Sequence, residues 1–279
     1  MTDTTLQSVA VEGLPIYYED HGPTDAPAVV LMSGWCHDHR LFDQLTGLLD
    51  KDHRVICIDW RGHGPDRRSL PHFGYQDQAS DTIAALDAIG IRDFLPVSHS
   101  HGGWANIEIA DRVGRDRVAR LLLIDWLMTP AAPAFSASLR AIQDPERWIE
   151  GRQELFEVWM NNERQPRVQR HLNEEMAGFD FEMWARSCQV IAAAYAQFGS
   201  PLQRIAQMPQ PRPVRHLFSQ PTTPEYAQAQ ATFAAEHNWF SYRALGGPTH
   251  FPTLDVPDLV AAEVRQFSEE RISQLDAQT

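Results

Sequence analysis

Three separated segments of the chain carry side chains suited to nucleophilic or acid–base catalysis. Ser100 lies in Ser98-His99-Ser100-His101-Gly102-Gly103, His250 lies in Gly247-Pro248-Thr249-His250-Phe251-Pro252, and Asp125 ends the run LLLID. A serine, a histidine and a carboxylate that meet in one site can act as nucleophile, general base and orienting group. The same histidine–carboxylate pair can instead remove a proton from a substrate without any covalent step. Both chemistries are open from these residues alone.

The residues around Ser100 indicate a sharp turn between a strand and a helix. Such a turn presents the central serine at the edge of a sheet, and it aims backbone N–H groups at developing negative charge. Gly102 fits the last position of a GxSxG pattern, but Ser98 replaces its first glycine. On this pattern alone, a connecting loop rich in serine and histidine is the alternative.

The elements that must position these residues follow the order of βα units. Short apolar runs alternate with helical patterns, which predicts a mostly parallel sheet with helices on both faces. The predicted strands, of which the first two form a hairpin, are Leu6–Val11, Leu14–Glu19, Ala28–Met32, Val55–Ile58, Phe94–Val97, Leu121–Ile124, Val214–Phe218 and Trp239–Leu245. The predicted helices of this part are His39–Leu49, Gln76–Ile89, one from the Ser100 turn to about Val113, Pro224–Glu236 and one from about Pro257.

A helical segment interrupts this order between residues 130 and 211, where no strand-like run occurs. A structureless loop of that length is uncommon in a compact domain, so we expect a helical cap inserted after the sixth strand. We therefore predict a core of residues 1–129 and 212–279 and a cap of residues 130–211. Gly34-Trp35 after the third strand and His250 after the last strand complete the pattern of an α/β-hydrolase fold.

The acid of this constellation is displaced from its usual place. In most α/β-hydrolases the acid follows the strand after the cap, here Val214–Phe218, but the next residues, Ser219–Pro224, contain no aspartate. Asp125 ends the preceding strand instead, and carboxylates at the carboxyl edge of a buried parallel strand lie where active sites gather. We therefore predict Asp125 as the partner of His250, although a turn-capping role is the alternative.

Two further groups of residues suggest ligand contacts. The pairs His37/His39 and His99/His101 raise the possibility of a metal, since non-haem iron takes two histidines and a carboxylate. Alternating residues in short turns need not converge on one point, so we predict no metal site. Trp159 and Trp184 lie in the helical segment, where they could be core residues or could form an aromatic wall for a flat substrate.

Composition excludes several classes of protein. The formal net charge of −13 argues against nucleic acid and anionic membranes as partners. No apolar run approaches the ~20 residues of a membrane span, and the first residues lack the features of a signal peptide. Three cysteines, without a CxxC pair, argue against a disulfide framework or a zinc ribbon. We expect a cytoplasmic protein, while its oligomeric state stays open.

Several segments together resemble one branch of the α/β-hydrolase family, the cofactor-independent dioxygenases that cleave the ring of 3-hydroxy-4-quinolones. The segments are Gly34–Arg40, Trp60–Gly64, Ser98–Trp104, Asp125–Met128, Ser219–Pro221 and Pro248–Pro252. The combination is specific although each piece alone is not, and the resemblance covers essentially the whole chain. The displaced acid agrees with this branch too.

The resemblance implies a reaction of O2 with a small aromatic substrate, a 3-hydroxy-4(1H)-quinolone with a 2-methyl or other 2-alkyl group. His250, oriented by Asp125, would remove the 3-hydroxyl proton, and the organic anion would react with O2 without metal, flavin or other cofactor. Carbon monoxide and an N-acylanthranilate would be released. The implied substrate contacts are Ser100, the backbone N–H groups of Trp35 and His101, and the pocket residues His37, Trp159 and Ile191.

Three other functions compete with this interpretation. The main one is a serine hydrolase that uses Ser100, His250 and Asp125 on an ester or lactone, because the same residues serve both schemes. A non-catalytic ligand-binding member of the fold and a metal-dependent dioxygenase are the others. Oxygen uptake with a 3-hydroxy-4-quinolone on metal-free protein would distinguish the favoured interpretation from all three.

Overall fold

The structure is a computed structural model that describes residues 6–67 and 70–270. Its centre is a twisted sheet in the order β1-β2-β4-β3-β5-β6-β7-β8. The hairpin of β1 and β2 joins β4 in antiparallel pairing, whereas β3 to β8 run parallel to their neighbours. The strands are β1 Gln7–Val11, β2 Leu14–His21, β3 Ala28–Met32, β4 Arg54–Ile58, β5 Phe94–His99, β6 Leu121–Ile124, β7 Val214–Phe218 and β8 Phe240–Ala244.

Helices cover both faces of this sheet, with α1 packed against α11 and α2 against α3. The helices outside the predicted cap are α1 Asp43–Leu49, α2 Tyr75–Ala88, α3 Gly103–Arg117, α9 Pro224–Glu236, α10 Pro252–Asp255 and α11 Pro257–Glu269. None of the helices in the described ranges is both long and apolar enough to cross a lipid bilayer. The predicted α/β-hydrolase architecture is therefore confirmed.

The core lies in the central strands, whose side chains are buried on both faces. All four residues of β6 are fully buried, as expected for an apolar run covered by helices on either side. Three predicted elements end later in the structure, the first of them β2, which was predicted to Glu19 and continues to His21. The strand predicted as Phe94–Val97 continues to His99 because Ser98 and His99 still pair with neighbouring strands. Helix α3 continues past Val113 to Arg117, with non-helical angles at Gly114. The predicted helix His39–Leu49 begins as a 3-10 turn, His39–Phe42, before α1.

Five α-helices, a π-helical turn and a short 3-10 turn occupy the chain between β6 and β7. They are α4 Pro133–Ile142, α5 Trp148–Met160, α6 Pro166–Arg170, the π-turn His171–Glu175, the 3-10 turn Met176–Gly178, α7 Phe181–Phe198 and α8 Pro201–Ala206. The hydroxyl of Tyr195 in α7 donates to the carbonyl of Leu127 at 2.7 Å, which ties this segment to the end of β6. The division into a core and a cap at residues 130 and 211 stays a prediction.

Candidate active site

Ser100 occupies a strained turn between β5 and α3. Its φ of 51° lies in the left-handed region, which non-glycine residues seldom adopt. Gly102 is required close by, because a Cβ atom there would lie 2.3 Å from the carbonyl oxygen of Ser33. Ser98 is still part of the strand, and its hydroxyl accepts a hydrogen bond from Asn106 at 2.9 Å. The glycine missing from the GxSxG pattern is therefore at a position where the backbone is regular.

The three residues predicted from separate segments meet at the carboxyl edge of the sheet. The Nε2 atom of His250 lies 3.1 Å from the Oγ atom of Ser100, and its Nδ1 atom lies 2.8 Å from Oδ1 of Asp125. All three side chains are buried, with His250 9% exposed. The imidazole is thus held between a carboxylate and a hydroxyl, with Nε2 directed at the space above Ser100.

Asp125 is held by the loop that follows the neighbouring strand. Its Oδ2 atom accepts the backbone N–H groups of Ser219, at 2.5 Å, and Gln220, at 3.2 Å. The loop after β7, where most α/β-hydrolases have the acid, here supplies hydrogen-bond donors to an acid on β6. The positive φ of Asp125, 45°, accompanies the turn that brings its side chain over the sheet edge.

Burial determines the protonation of this pair. Desolvation lowers the pKa of His250 to about 3, so the imidazole of the free protein is neutral. Desolvation raises the pKa of Asp125, and the two backbone N–H groups oppose that shift. Because three donors converge on the two carboxyl oxygens, the geometry is that of a carboxylate accepting Nδ1–H of His250. Its Nε2 atom then carries a free electron pair, as a general base requires.

A cavity of about 290 Å³ opens in front of Ser100 and His250. A narrow crevice adjoins it, and the residues that line both spaces are Ser100, His101, Phe135, Leu155 and Trp159. The other residues of the outer cavity are Asp125, Leu127, Val158, Asn161, Gln220, Pro221 and His250. The crevice adds Trp35, His37, Leu139, Trp184, Ser187, Cys188 and Ile191. Every predicted site residue therefore borders the same space, and most of its walls are apolar or aromatic.

The loop after β3 brings Trp35 to this space. A Cβ atom at Gly34 would lie 3.3 Å from the Cβ atom of Ser100, so the two turns are in contact. The indole of Trp35 stacks on Phe73, with ring centroids 5.4 Å apart. Trp184 is 2% exposed, and its ring packs against Phe156.

The paired histidines do not converge on a common point. Their hydrogen-bond partners are His171 for His37 at 2.8 Å, Asp59 for His39 at 2.8 Å, the carbonyl of His250 for His99 at 2.9 Å, and the indole of Trp126 for His101 at 3.1 Å. Within residues 6–67 and 70–270, no group of three or more His, Cys, Asp or Glu side chains has an arrangement suited to a metal ion.

One feature near the site was missed by sequence analysis. His37 is backed by His171, whose Nδ1 atom lies 2.6 Å from Oε2 of Glu175. Desolvation and the neighbouring His171 lower the pKa of His37 well below its ordinary value, so its ring is neutral. The spacing of His171 and Glu175, four residues apart on one helical turn, was the only available signal.

Comparisons with known proteins show to which family this chain belongs. Residues 29–263 match the model of the alpha/beta hydrolase family. The chain is 45% identical to a 2-heptyl-3-hydroxy-4(1H)-quinolone dioxygenase of Mycobacteroides abscessus over 258 residues, which are 92% of this chain and 96% of that protein. It is 43% identical to a 1H-3-hydroxy-4-oxoquinoline 2,4-dioxygenase of Pseudomonas putida over 262 residues, 94% of this chain and 99% of that protein.

A solved structure extends the similarity to three dimensions. It is that of a variant of AqdC bound to its substrate, the Pseudomonas quinolone signal, and it superposes with a TM-score of 0.92 at 44% identity, covering 94% of this chain and 98% of that one. The similarity therefore extends over nearly the full length of both chains. The chain therefore belongs to the α/β-hydrolase family and, within it, to the 3-hydroxy-4-quinolone dioxygenases.

Proposed function

We propose that this protein cleaves the nitrogen-containing ring of a 2-alkyl-3-hydroxy-4(1H)-quinolone with O2, and that it releases carbon monoxide and an N-acylanthranilate. The observation that carries the proposal is the buried His250–Asp125 pair at the end of an aromatic cavity. Full-length relatives that are named quinolone dioxygenases support the choice of substrate.

The first step is removal of the substrate's 3-hydroxyl proton by Nε2 of His250. Burial, which would leave an imidazolium poorly solvated, lowers the pKa of His250 to about 3. Asp125 and the new negative charge on the substrate both stabilise the imidazolium once it forms. The proton therefore moves from one buried partner to another, and no net charge enters the cavity.

The electron-rich anion then reacts with O2. The oxygen molecule adds at C2, and the resulting peroxide attacks the C4 carbonyl to close a bridge. Cleavage of the O–O, C2–C3 and C3–C4 bonds releases C3 as carbon monoxide, and C2 and C4 become the acyl and carboxyl carbons of the product. The backbone N–H groups of Trp35 and His101 would stabilise the negative oxygen on C4. Ser100 would hold the substrate by a hydrogen bond and would form no covalent bond.

The apolar side chains of the outer cavity suit a 2-alkyl group. Leu127, Phe135, Leu155, Val158 and Pro221 line the cavity in front of Ser100. Relatives bear names with a 2-heptyl group and with an unsubstituted ring, and we propose that residues of this kind set the preferred chain length.

We also propose a cytoplasmic location, since the three cysteines are all free, as is usual in reducing compartments.

Product analysis tests the proposed function against the hydrolase alternative. Purified protein is incubated with 3-hydroxy-4-quinolones that carry hydrogen, methyl, pentyl or heptyl at C2, and O2 uptake and carbon monoxide are measured. We expect one O2 consumed and one carbon monoxide formed for each quinolone. Cleavage of aryl esters or lactones without O2 uptake by any quinolone would refute the proposal.

A further inference from the structure

His101 follows the strained Ser100 and borders both the cavity and the crevice. Its ring is held on several sides: it stacks on Phe135 with planes 13° apart, and Tyr195 and Trp126 contact it edge to face. The side chain is 7% exposed. It therefore has one orientation, and the atoms it presents to a ligand are determined by its tautomer.

The partner of His101 determines that tautomer. The Nε1 atom of Trp126 lies 3.1 Å from Nδ1 of His101. An indole N–H can only donate, so Nδ1 must be the acceptor and can carry no proton. Burial, with the nearby His250 and His99, lowers the pKa of His101 to about 3, so the ring is neutral. Its single proton is then on Nε2, which forms no hydrogen bond within the described part of the chain and is left for the cavity.

Trp126 is held in place by hydrogen bonds to its backbone and by the packing of its ring. Its backbone N–H donates to His216 at 3.2 Å, and its carbonyl accepts the hydroxyl of Tyr226 at 2.6 Å. Its ring lies at 86° to that of Trp104 and fills the space where a Cβ atom at Gly103 would be, 2.2 Å away. Trp126 also follows Asp125 directly, so one turn after β6 positions both the acid of the dyad and the donor to His101.

We propose that Trp126 is a positioning residue that holds His101 as a neutral Nε2–H donor, and that this N–H binds the C4 oxygen of the quinolone. The inference rests on the proposed function. The C4 oxygen gains negative charge when the peroxide attacks C4, so a donor there stabilises the later stages of the reaction. A neutral donor suits this place because a cation would stabilise the substrate anion more strongly. Transfer of an electron from that anion to O2 would then be less favourable.

The test uses Trp126→Phe, with Trp104→Phe as the matched control. Both tryptophans are about 1% exposed and belong to the same cluster, but Nε1 of Trp104 has no hydrogen-bond partner in the described ranges. We expect Trp126→Phe to lower kcat/KM for the quinolone about 3- to 10-fold, as for loss of one hydrogen bond, and Trp104→Phe to change it less than about 2-fold. In an His101→Leu background, Trp126→Phe should have no further effect, because its partner is gone.

Nitrogen NMR of the ligand-free protein reads the tautomer directly. With ¹⁵N-labelled histidine, His101 should show an unprotonated Nδ1 and a protonated Nε2 in the wild type and in Trp104→Phe. In Trp126→Phe the two nitrogen signals should move towards each other, since either tautomer can then form. In anaerobic titrations, the pKa of the bound substrate's 3-hydroxyl should rise in the same variant.

Two results would overturn the inference. A protonated Nδ1 in the wild type would refute the tautomer whatever the substrate is, and equal kinetic losses in the two tryptophan variants would refute the role of Trp126. If no quinolone causes O2 uptake, the proposed function is refuted, and so is the hydrogen bond from His101 to the C4 oxygen of a quinolone. The NMR measurement still decides the tautomer of His101. Thermal unfolding of both variants shows whether either loss comes from misfolding.

Discussion

The indole of Trp159 lies nearly parallel to the imidazole of His250, with ring centroids 5.3 Å apart and planes 20° apart. The carbonyl of the same tryptophan accepts the backbone N–H of His250 at 2.9 Å. Trp159 lies in α5, and His250 lies in the loop after β8, so two segments far apart in sequence are joined by their backbones and their rings. Trp159, which forms an aromatic wall of the cavity, is therefore in direct contact with His250, the proposed base.

Replacing the base should remove most of the activity at neutral pH. His250→Ala removes the side chain that we propose takes the 3-hydroxyl proton, and general base catalysis contributes about 10²- to 10⁴-fold. Because solvent ionises the substrate as the pH rises, the variant should recover part of its activity in alkaline buffer. Oxygen uptake measured from pH 6 to 10 checks this.

Asp125→Ala serves as the comparison for that experiment. It leaves the imidazole in place but removes its orientation and the stabilisation of its charged form, so we expect a smaller loss than for His250→Ala. A His250→Ala variant with near-normal oxygen uptake at pH 7 would show that another group accepts the proton.

Ser100 should contribute a hydrogen bond and no covalent chemistry. Ser100→Ala should lower kcat about 10-fold, in the range of a hydrogen bond to a charged group, and should leave clear quinolone cleavage. Loss of a true nucleophile costs roughly a million-fold. Intact-mass measurement during turnover should show unmodified protein, and an adduct on Ser100 would contradict this role.

Removal of the aromatic wall should weaken substrate binding. Trp159→Ala takes away a planar surface beside His250, and we expect KM for the quinolone to rise about 10-fold. The matched control is Trp148→Ala in the same helix, whose ring contacts Phe181 and Arg152 and is not among those lining the cavity. Equal changes of KM in the two variants would refute a specific role for Trp159.

The pH profile of kcat/KM should not show the titration of a histidine with an ordinary pKa. A pKa of about 3 for His250 means that the neutral, basic form is complete at every pH above about 5. kcat/KM should therefore stay level from pH 5 to pH 8 instead of falling as the pH drops. An acid limb with its midpoint near the ordinary imidazole value of about 6.5 would contradict the burial argument.

Metal removal should leave turnover unchanged. The histidines of the two pairs are each engaged by a partner within the protein, and the proposed reaction takes its electrons from the substrate anion. Oxygen uptake is compared before and after dialysis against a chelator, with elemental analysis of the active protein. Activity lost on chelation and restored by Fe(II) would assign the chemistry to a metal.

The sequence determined much of this protein by local patterns. Apolar runs predict the strands because a strand covered on both faces must be apolar along its whole length. The turn at Ser100 and the histidine after the last strand follow from the order of these elements. Because the residues after β7 include no aspartate and parallel strands bring their carboxyl ends to one edge, the sequence predicts Asp125 as the acid.

Only the tertiary structure decided which contacts hold these side chains in place. Trp148 and Trp159 are the same residue type in the same helix, but helix packing turns one towards Phe181 of α7 and the other over His250. Two further contacts depend on how loops from different strands turn at the sheet edge. They are the backbone N–H groups that donate to Asp125 and the hydrogen bond between His101 and Trp126, the residue after Asp125. Such contacts arise from side-chain directions across distant segments, and local sequence patterns carry no information about those directions.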